Sequence, residues 1–330
     1  MLYIENKSSK PHFNLALEEY VIRHLDLGQN VFMLWQNEPS VIVGRNQNTI
    51  EEINAKYIKE NHINVVRRLS GGGAVYHDSG NLNFTFIMQD QKDEVSNFRK
   101  FTEPVIKVLN SLGIPAEFSG RNDITIEGKK FSGNAQYACN NRLLHHGTIL
   151  FNSDLSVVQN ALNVRIDKIE SKGIKSVRSR VTNIAPYLKE PLSIDAFKNI
   201  LIQSILNTKD ISTMTYRLTE QDLQKITEIM EKRYLTWDWN YGESPAFDMQ
   251  KTRKYEGGIL DLRLQADNGK IVGCKIYGDF FGKYEVSELE QALIHVQYAE
   301  EAVRSILETI DLQKYMHNIT ADDFIDCMFY

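Results

Sequence analysis

The sequence predicts an α/β protein with two domains, the larger of which alternates short buried strands with amphipathic helices. Its 330 residues are long for a single hydrophobic core, because chains divide into domains beyond about 250–300 residues. The stretch NLALEEYVIRHL (14–25) has the apolar spacing of a helix, whereas VFMLWQ (31–36) and SVIVG (40–44) are short apolar runs typical of buried strands. Alternation of this kind favours an α/β architecture.

The charge distribution and one loop-like stretch predict where the domains meet. Residues 246–330 hold 15 of the 43 acidic residues but only 9 of the 38 basic residues, and the rest of the chain is close to neutral. The stretch YGESPAF (241–247) has the glycine, serine and proline typical of a linker. We therefore expect a larger domain at 1–245 and a small α+β domain at 246–330.

Periodicity and turn residues predict the elements of the larger domain. TIEEINAKYIKENH (49–62) is predicted as a helix, INVVRRL (63–69) as an extended segment, and GNLNFTFIM (80–88) as a strand that alternates polar and apolar residues. NFRKFTEPVIKVLNSLG (97–113) is predicted as a helix with Pro104 near its start.

Hairpins are predicted where turn residues separate apolar runs. Turns at Glu127–Gly128 and Asn140–Asn141 would join three strands, and helices are expected near 193–207 and 219–233. In the smaller domain, Asn268–Gly269 is expected to turn a hairpin that is followed by helical segments.

Composition excludes several classes of protein. The first residues, MLYIENKSSKPHF, lack the basic and apolar regions of a signal peptide, and no stretch approaches the roughly 18 apolar residues of a membrane span. Cys139, Cys274 and Cys327 lie far apart, so neither a disulfide framework nor a zinc site is predicted. The charge balance is too even for a nucleic-acid surface. We expect a cytoplasmic protein that binds neither membrane nor nucleic acid.

The stretch RRLSGGGAVY (67–76) places two arginines and three consecutive glycines just ahead of a strand. It lacks the GxxxxGK[ST] spacing of a P-loop and the GxGxxG spacing of a dinucleotide-binding turn. Closely spaced glycines can nevertheless offer backbone N–H groups to phosphate oxygens, which an arginine can bind through two hydrogen bonds. Taken alone, the motif fits an anion site and a tight glycine turn with solvated arginines equally well.

Three further stretches repeat these residue types. GRNDITIEGKKFSGNAQY (120–137) places Lys130 ahead of a second Ser–Gly pair, and RLLHHGTILFN (142–152) places two histidines before a glycine. SKGIKSVRSRVTNI (171–184) carries four cationic side chains, those of Lys172, Lys175, Arg178 and Arg180. Each stretch also has a plain structural interpretation: a solvated lysine, hydrogen-bonded histidines and a mobile basic surface loop.

In combination and in this order, these motifs resemble the lipoate–protein ligase A family. NLALEEY (14–20) and LWQNEPSVIVGRNQN (34–48) resemble that family's N-terminal motifs. The resemblance covers 1–245, and 246–330 is similar, more loosely, to the accessory domain of the full-length ligases. It implies a catalytic domain like that of biotin ligases, related to the class II synthetase core.

The resemblance implies an enzyme with two half-reactions. Lipoate and ATP, with Mg²⁺, would give lipoyl-adenylate and pyrophosphate, and the lipoyl group would then pass to one lysine of a carrier protein. The implied carriers are the E2 subunits of 2-oxoacid dehydrogenases and the glycine-cleavage H protein, and a monomer is expected.

The family's functional residues can be carried over one by one. Lys130 would be the catalytic lysine, Arg68 would bind the phosphate and Asp123 could hold Mg²⁺. His146 and Gly147 would line the lipoyl pocket. The implied ATP- and lipoyl-adenylate-binding residues are Arg68, Ser70, Gly71, Gly72, Gly73, Ala74, Val75, Tyr76, His77, Asn122, Asp123, Lys130, His146, Gly147, Arg178 and Arg180.

Two further expectations concern the apolar part of the implied pocket and the segment that would cover it. The stretch NFTF (83–86) could supply an apolar tunnel for the lipoyl tail. The basic stretch 171–184 is expected to close over the adenylate and to exclude water from it.

Three alternatives stay open. An ATP-independent octanoyl or lipoyl transferase would need a cysteine nucleophile, and Cys139 is the cysteine nearest to the motifs. A biotin ligase is expected to carry an arginine motif different from RRLSGGG. A non-catalytic protein that binds lipoyl carriers would not need both Arg68 and Lys130.

Overall fold

The computed structural model describes residues 1–47, 49–89, 94–162, 181–241, 249–267 and 269–329. The strands are β1 (Leu2–Ile4), β2 (Val31–Trp35), β3 (Ser40–Val43), β4 (Asn64–Arg67), β5 (Val75–His77), β6 (Asn81–Gln89), β7 (Ala116–Ser119), β8 (Asp123–Ile126), β9 (Lys129–Cys139), β10 (Arg142–Leu150), β11 (Thr215–Tyr216), β12 (Met249–Tyr255), β13 (Gly258–Asp267) and β14 (Lys270–Gly278). The α-helices are α1 (Pro11–Arg23), α2 (Thr49–Glu52), α3 (Ala55–Glu60), α4 (Phe98–Ser111), α5 (Leu155–Ala161), α6 (Ile194–Leu206), α7 (Glu220–Ile229), α8 (Trp237–Asn240), α9 (Ser287–Leu293), α10 (Glu300–Glu308) and α11 (Ala321–Phe329).

The strands form three sheets. The largest has eight strands in the order β11-β1-β2-β6-β10-β9-β8-β7, with parallel pairing at β11-β1-β2 and antiparallel pairing from β2 onwards. A small sheet has the order β4-β3-β5, and β12-β13-β14 form an antiparallel sheet of their own. The predicted mixed α/β class is confirmed.

The eight-stranded sheet is covered on both faces because its strands alternate apolar side chains between them. On one face, residues such as Phe32 and Phe84 pack against α4 and α6. On the other face, Met33 and Ile87 pack against α1, and Ile42 of the small sheet joins the same cluster. This second face, lying under α1 and the small sheet, is the one that carries the cavity described below.

The predicted helix at 49–62 is interrupted. Ile53 forms an isolated β-bridge with Leu162, and the chain then restarts as α3, where the Asn54 side chain accepts a hydrogen bond from the Tyr57 N–H. The apolar periodicity extends across both segments, whereas an asparagine that caps a new helix marks the break.

Pro104 lies in the interior of α4 rather than near its start, so that part of the prediction is wrong. Proline has no N–H to donate to the carbonyl four residues earlier. The helix persists because Phe101, Val105 and Leu109 are buried on one of its faces, and packing outweighs a single lost hydrogen bond.

The predicted turns at Glu127–Gly128 and Asn140–Asn141 lie where they were expected, whereas Asn268, of the third predicted turn, lies outside the described residues. Glu127, Gly128 and Asn140 have φ values of +51°, +74° and +54°, the left-handed region that glycine and asparagine adopt most readily. The resulting hairpins place β8, β9 and β10 side by side in the large sheet.

Strands β12–β14 and helices α9–α11 share a hydrophobic core that includes Leu260, Leu262, Leu289 and Phe324. The predicted boundary at 245 lies outside the described residues. No helix in the described ranges is long and apolar enough to cross a membrane.

The segment after β14 packs against the larger part of the chain. The buried ring of Phe281 clusters with Phe98 and Ala135, and the Arg121 guanidinium lies 4.6 Å from the centre of that ring. Ala135 also lines the cavity, so the C-terminal region supports the cavity wall from behind.

Candidate active site

An open cavity lies between the large sheet and the layer formed by α1 and the small sheet. It is lined by Leu15, Trp35, Ile42, Arg68, Gly72, Gly73, Ala74, Val75, His77, Asn83, Asn122, Lys130, Gly133, Asn134, Ala135, His146, Gly147 and Thr148. Apolar walls that carry a few placed polar groups are typical of small-molecule sites.

Strand pairing sets the length of the cavity. Trp35 on β2 pairs with Asn83 on β6, which pairs with Thr148 on β10. The Gly133 N–H on β9 donates to Thr148 Oγ1 at 3.2 Å, and Gly133 pairs with Asp123 on β8. From β2 to β9 there are three strand spacings, about 14 Å. An extended eight-carbon acid, roughly 10 Å long, fits across this row.

Lys130 lies at the β8–β9 end of the row. Its Nζ is 2.7 Å from Asp123 Oδ1, and the two side chains are 40% and 35% exposed. A Cβ added at Gly133 would lie 2.9 Å from Lys130 Nζ, so glycine at that position leaves room for the ammonium group. The predicted catalytic lysine therefore lies at the cavity with a half-buried carboxylate as its partner.

Arg68 lies beneath the glycine-rich loop and is 5% exposed. Its guanidinium donates to the carbonyl oxygens of Ile42 (3.0 Å), Gly71 (2.7 Å) and Gly73 (2.9 Å) and to Ser70 Oγ (3.0 Å). Four of the five N–H donors of arginine are thus bound within the chain. These bonds fix the shape of the loop, and the contact of Arg68 with a phosphate stays a prediction.

The three glycines of this loop have different surroundings. A Cβ at Gly71 would lie 2.5 Å from the Phe280 carbonyl oxygen, so Gly71 is packed against the C-terminal region and does not line the cavity. Gly72 has a φ of +91°, which favours glycine. An added Cβ at Gly73 would have no neighbour within 4 Å. Of the three glycines, Gly72 and Gly73 line the cavity.

A chain of hydrogen bonds runs behind the cavity wall. Ser70 Oγ lies 2.6 Å from His146 Nε2, and His146 Nδ1 lies 3.0 Å from a Glu18 carboxylate oxygen. The Thr85 hydroxyl donates to Glu18 at 2.5 Å, and the Trp35 indole N–H donates to Thr85 at 2.9 Å. Ser70 is 1% exposed, so its hydroxyl positions His146 and is not available as a nucleophile.

Asn122 and Asn134 hold each other beside Lys130. Asn122 Nδ2 donates to the Asn134 carbonyl oxygen at 2.6 Å, and Asn134 Nδ2 donates to the Asn122 carbonyl oxygen at 3.0 Å. A Cβ at Gly147 would lie 2.1 Å from Asn134 Oδ1, so only glycine fits there. These contacts fix the wall next to the ammonium group.

The two adjacent histidines face opposite sides of the sheet. His146 lines the cavity, whereas His145 stacks on Phe84 and Phe101 on the α4 side and contacts Gln136 and Asn134. Burial lowers the pKa of His145 well below its ordinary value, so it is neutral. Because successive side chains of a strand point to opposite faces, His146 reaches the cavity while its neighbour His145 is part of the packed core.

Tyr76 is the predicted site residue that the same alternation removes from the cavity. Val75 and His77 line the cavity, while Tyr76, between them, packs against Val41 and Val43. The structure therefore does not place the Tyr76 side chain in the cavity.

The stretch NFTF (83–86) does not supply the apolar wall that was expected of it. Phe84 packs on the opposite face of the sheet, and Asn83 is the residue of that stretch in the cavity wall. The apolar wall comes instead from residues that sequence reasoning missed, namely Leu15, Trp35, Ile42 and Ala135. Glu18, Asn83, Gly133, Asn134 and Thr148 were missed as well. For Asn83, Asn134 and Thr148, the available signal was a polar residue inside a strand with apolar neighbours.

Arg178 and Arg180 lie outside the described residues, as does most of the segment 171–184. Its last residues are described: Val181 bridges to Lys130, and the Thr182 N–H donates to the Lys130 carbonyl oxygen at 2.9 Å. The predicted closing segment therefore ends on the strand that carries the predicted catalytic lysine.

Cys139 ends β9, nine residues from Lys130 along the strand. At about 3.3 Å per residue this is a separation of about 30 Å, and Cys139 does not line the cavity. A transferase that used Cys139 would need its nucleophile at the acyl group. The geometry disfavours that alternative.

Family comparison agrees with the geometry over both parts of the chain. Residues 10–206 match the lipoyl protein ligase A/B catalytic domain, and residues 244–328 match the bacterial lipoate protein ligase C-terminus. The chain is 51% identical to lipoate-protein ligase LplJ of Bacillus subtilis, with 100% of both chains covered. It is 46% identical to lipoate–protein ligase 1 of Staphylococcus aureus, with 99% of this chain and 100% of that protein covered.

Solved structures show the same fold. LipL1 of P. falciparum in complex with lipoate superposes with a TM-score of 0.80 at 26% identity, covering 98% of this chain and 97% of that chain. A lipoate-protein ligase A bound with ATP superposes with a TM-score of 0.63 at 29% identity, covering 73% of this chain and 98% of that chain. A bi-partite lipoate protein ligase from Thermoplasma acidophilum, analysed with its E2 lipoyl domain, superposes with a TM-score of 0.65 at 31% identity. The match covers 75% of this chain and 98% of that chain. The chain belongs to the lipoate–protein ligase family, and its activity is that of a lipoate–protein ligase.

Proposed function

We propose that the cavity activates lipoate with ATP to lipoyl-adenylate and that the lipoyl group is then transferred to a lysine of a carrier protein. The observation that carries this proposal is the position of Lys130. Its ammonium group stands at one end of a cavity about 14 Å long whose other end is walled by Leu15, Trp35 and Ile42. An acid with a carboxylate head and an apolar tail matches that polarity.

In the first half-reaction, a carboxylate oxygen of lipoate attacks the α-phosphorus of ATP and the bond to pyrophosphate breaks. Lys130 exchanges Asp123 for the carboxylate and the α-phosphate, and so stabilises the negative charge that develops between them. In the second, the carrier amine attacks the acyl carbon, AMP leaves and the amine loses a proton. The same ammonium group faces the leaving phosphate.

The nucleotide phosphates would lie against the loop at Gly72, Gly73 and Ala74. Closely spaced backbone N–H groups make an anion-binding concavity, and Arg68 beneath the loop adds a buried positive charge. Burial lowers the pKa of Arg68 to about 10, so the side chain stays charged at neutral pH. Asp123 is the carboxylate beside this region, and Mg²⁺ usually takes one or two carboxylates together with substrate phosphates.

The carrier, the compartment and the domain boundary complete the proposal. The Thermoplasma relative was analysed with an E2 lipoyl domain, which supports 2-oxoacid dehydrogenase subunits as carriers, with the glycine-cleavage H protein as the second candidate. Three free cysteines suit the reducing cytoplasm. We place the domain boundary between 245 and 246 and infer a monomer.

Adenylate formation tests the first half-reaction directly. The purified chain, given ATP, Mg²⁺ and lipoate, should release pyrophosphate only when lipoate is present and should hold a ligand with the mass of lipoyl-adenylate. An equal rate of pyrophosphate release with and without lipoate would contradict the proposal.

Replacing Cys139 by serine should leave this activity unchanged, because the thiol lies about 30 Å along β9 from Lys130. The measurement is pyrophosphate release together with intact-protein mass. An acyl thioester on Cys139 that forms without ATP and is lost in Cys139→Ser would favour the transferase instead.

A further inference from the structure

A ladder of asparagines fixes the protonation of one histidine in the cavity wall. Asn14 Nδ2 donates to the carbonyl oxygens of Ser8 (3.1 Å) and Gln36 (2.9 Å) and to Asn37 Oδ1 (2.8 Å). Because Asn37 Oδ1 is the acceptor, the Asn37 amide nitrogen is the atom that meets His77 Nδ1 at 3.0 Å. His77 Nδ1 therefore accepts, and the ring proton is on Nε2.

The Nε2–H of His77 is a buried donor without an acceptor. His77 is 2% exposed, and burial, helped by the charge of Arg68, lowers its pKa to about 3, so the ring stays neutral. Within the described ranges no atom pairs with His77 Nε2. Buried polar groups are nearly always hydrogen-bonded, and an exception needs an explanation.

Asn83 supplies a second unpaired donor on the same wall. Its Oδ1 accepts a hydrogen bond from Asn81 Nδ2 at 3.0 Å, while its Nδ2 has no partner among the described residues. Asn83 is 2% exposed and lines the cavity together with His77.

His77 and Asn83 both line the end of the cavity remote from Lys130. The ring centres of His77 and Trp35 are 6.0 Å apart, and Trp35 pairs with Asn83 across β2 and β6. An acid whose carboxylate meets Lys130 would place its tail here, about three strand spacings away. This step rests on the proposed function, because it takes the position of the carboxylate from it.

We propose that His77 and Asn83 are specificity-determining residues that donate hydrogen bonds to the sulfur atoms of lipoate. Divalent sulfur is a weak acceptor, yet a hydrocarbon tail offers none and leaves both donors unpaired in a dry wall. A site that hydrogen-bonds a polar group of its ligand rejects an analogue without that group, because the buried polar atoms of the site are then left without a hydrogen-bond partner. The cavity thus favours a dithiolane over a plain acyl tail such as that of octanoate.

The test compares lipoate with 5-cyclopentylpentanoate, which has the same chain length and ring size but no sulfur. Calorimetric titration of the full chain should show lipoate binding about three- to ten-fold more tightly. In His77→Phe this ratio should fall towards one, and in Asn83→Leu it should fall part of the way. Ile42→Val, which trims the apolar wall, should weaken both acids alike and keep the ratio.

Equal affinity for the two acids in the unaltered chain would overturn the proposal, because the two donors would then gain nothing from the sulfur atoms. An unchanged ratio in His77→Phe would also overturn it for His77. If that variant fails to fold, the ratios in the unaltered chain and in Asn83→Leu decide. Failure of the proposed function looks different: both acids would bind without any pyrophosphate release on adding ATP.

Discussion

Replacing Lys130 by alanine is expected to lower the rate of lipoate-dependent pyrophosphate release about 10²–10³-fold, the usual effect of removing one preorganised charge contact to a transition state. Stability should hardly change, because the Lys130–Asp123 ion pair is partly exposed to water and such pairs contribute about 0–1 kcal/mol. Pyrophosphate release and the melting temperature, measured on the same preparations, separate the two effects.

Lys129 provides the matched control. It is the neighbouring residue on β9, carries the same charge, is exposed and does not line the cavity. Lys129→Ala should keep near-normal pyrophosphate release. If Lys130→Ala remained active and Lys129→Ala did not, the lysine would be misassigned by one position.

Replacing Arg68 by lysine is expected to lower both activity and stability, although the charge is kept. Lysine cannot reproduce the fork that holds Ile42, Ser70, Gly71 and Gly73 at once. Lost hydrogen bonds to a buried charged group should destabilise the fold by about 2–4 kcal/mol. A loop displaced by about 1 Å can lower kcat/KM about 10²-fold. Thermal unfolding and pyrophosphate-release kinetics are the measurements.

Two further variants show whether Arg68 acts through the loop. Gly72→Ala should reproduce the loss of activity, because Gly72 has a φ of +91° and an added Cβ would lie 3.0 Å from Arg68 Nη2. Arg217→Lys, at an exposed side chain paired with Glu5, should behave like the unaltered chain. A raised KM for ATP in Arg68→Lys, with stability unchanged, would instead indicate a direct phosphate contact.

Local chemistry made much of the fold predictable. The hairpin turns follow from Glu127–Gly128 and Asn140, which adopt positive φ, and the strands they join have clear apolar runs. Boundaries were less predictable where packing overrides local preference. Pro104 stays inside α4 because a buried face holds the helix, and Ile53 leaves its helix to reach Leu162, which is far away in sequence.

The site was predictable as a set of motifs but less so as a set of contacts. Arg67 and Arg68 stand side by side in RRLSGGG, and both are buried and bonded to backbone carbonyls, so the interpretation as solvated arginines was wrong. Such contacts depend on which strand lies opposite. Glu18 and Trp35 come from the first elements of the chain, and only the tertiary fold brings them to His146 and His77.

The central claim is ATP-dependent transfer of a lipoyl group, and intact-mass analysis of a carrier tests it most directly. The full chain should be incubated with lipoate, Mg²⁺ and an E2 lipoyl domain, with and without ATP. The account predicts that the lipoyl domain gains the mass of one lipoyl group only with ATP, equally in Cys139→Ser and far more slowly in Lys130→Ala. Lipoylation without ATP, or lipoylation that survives loss of Lys130 but not of Cys139, would contradict it.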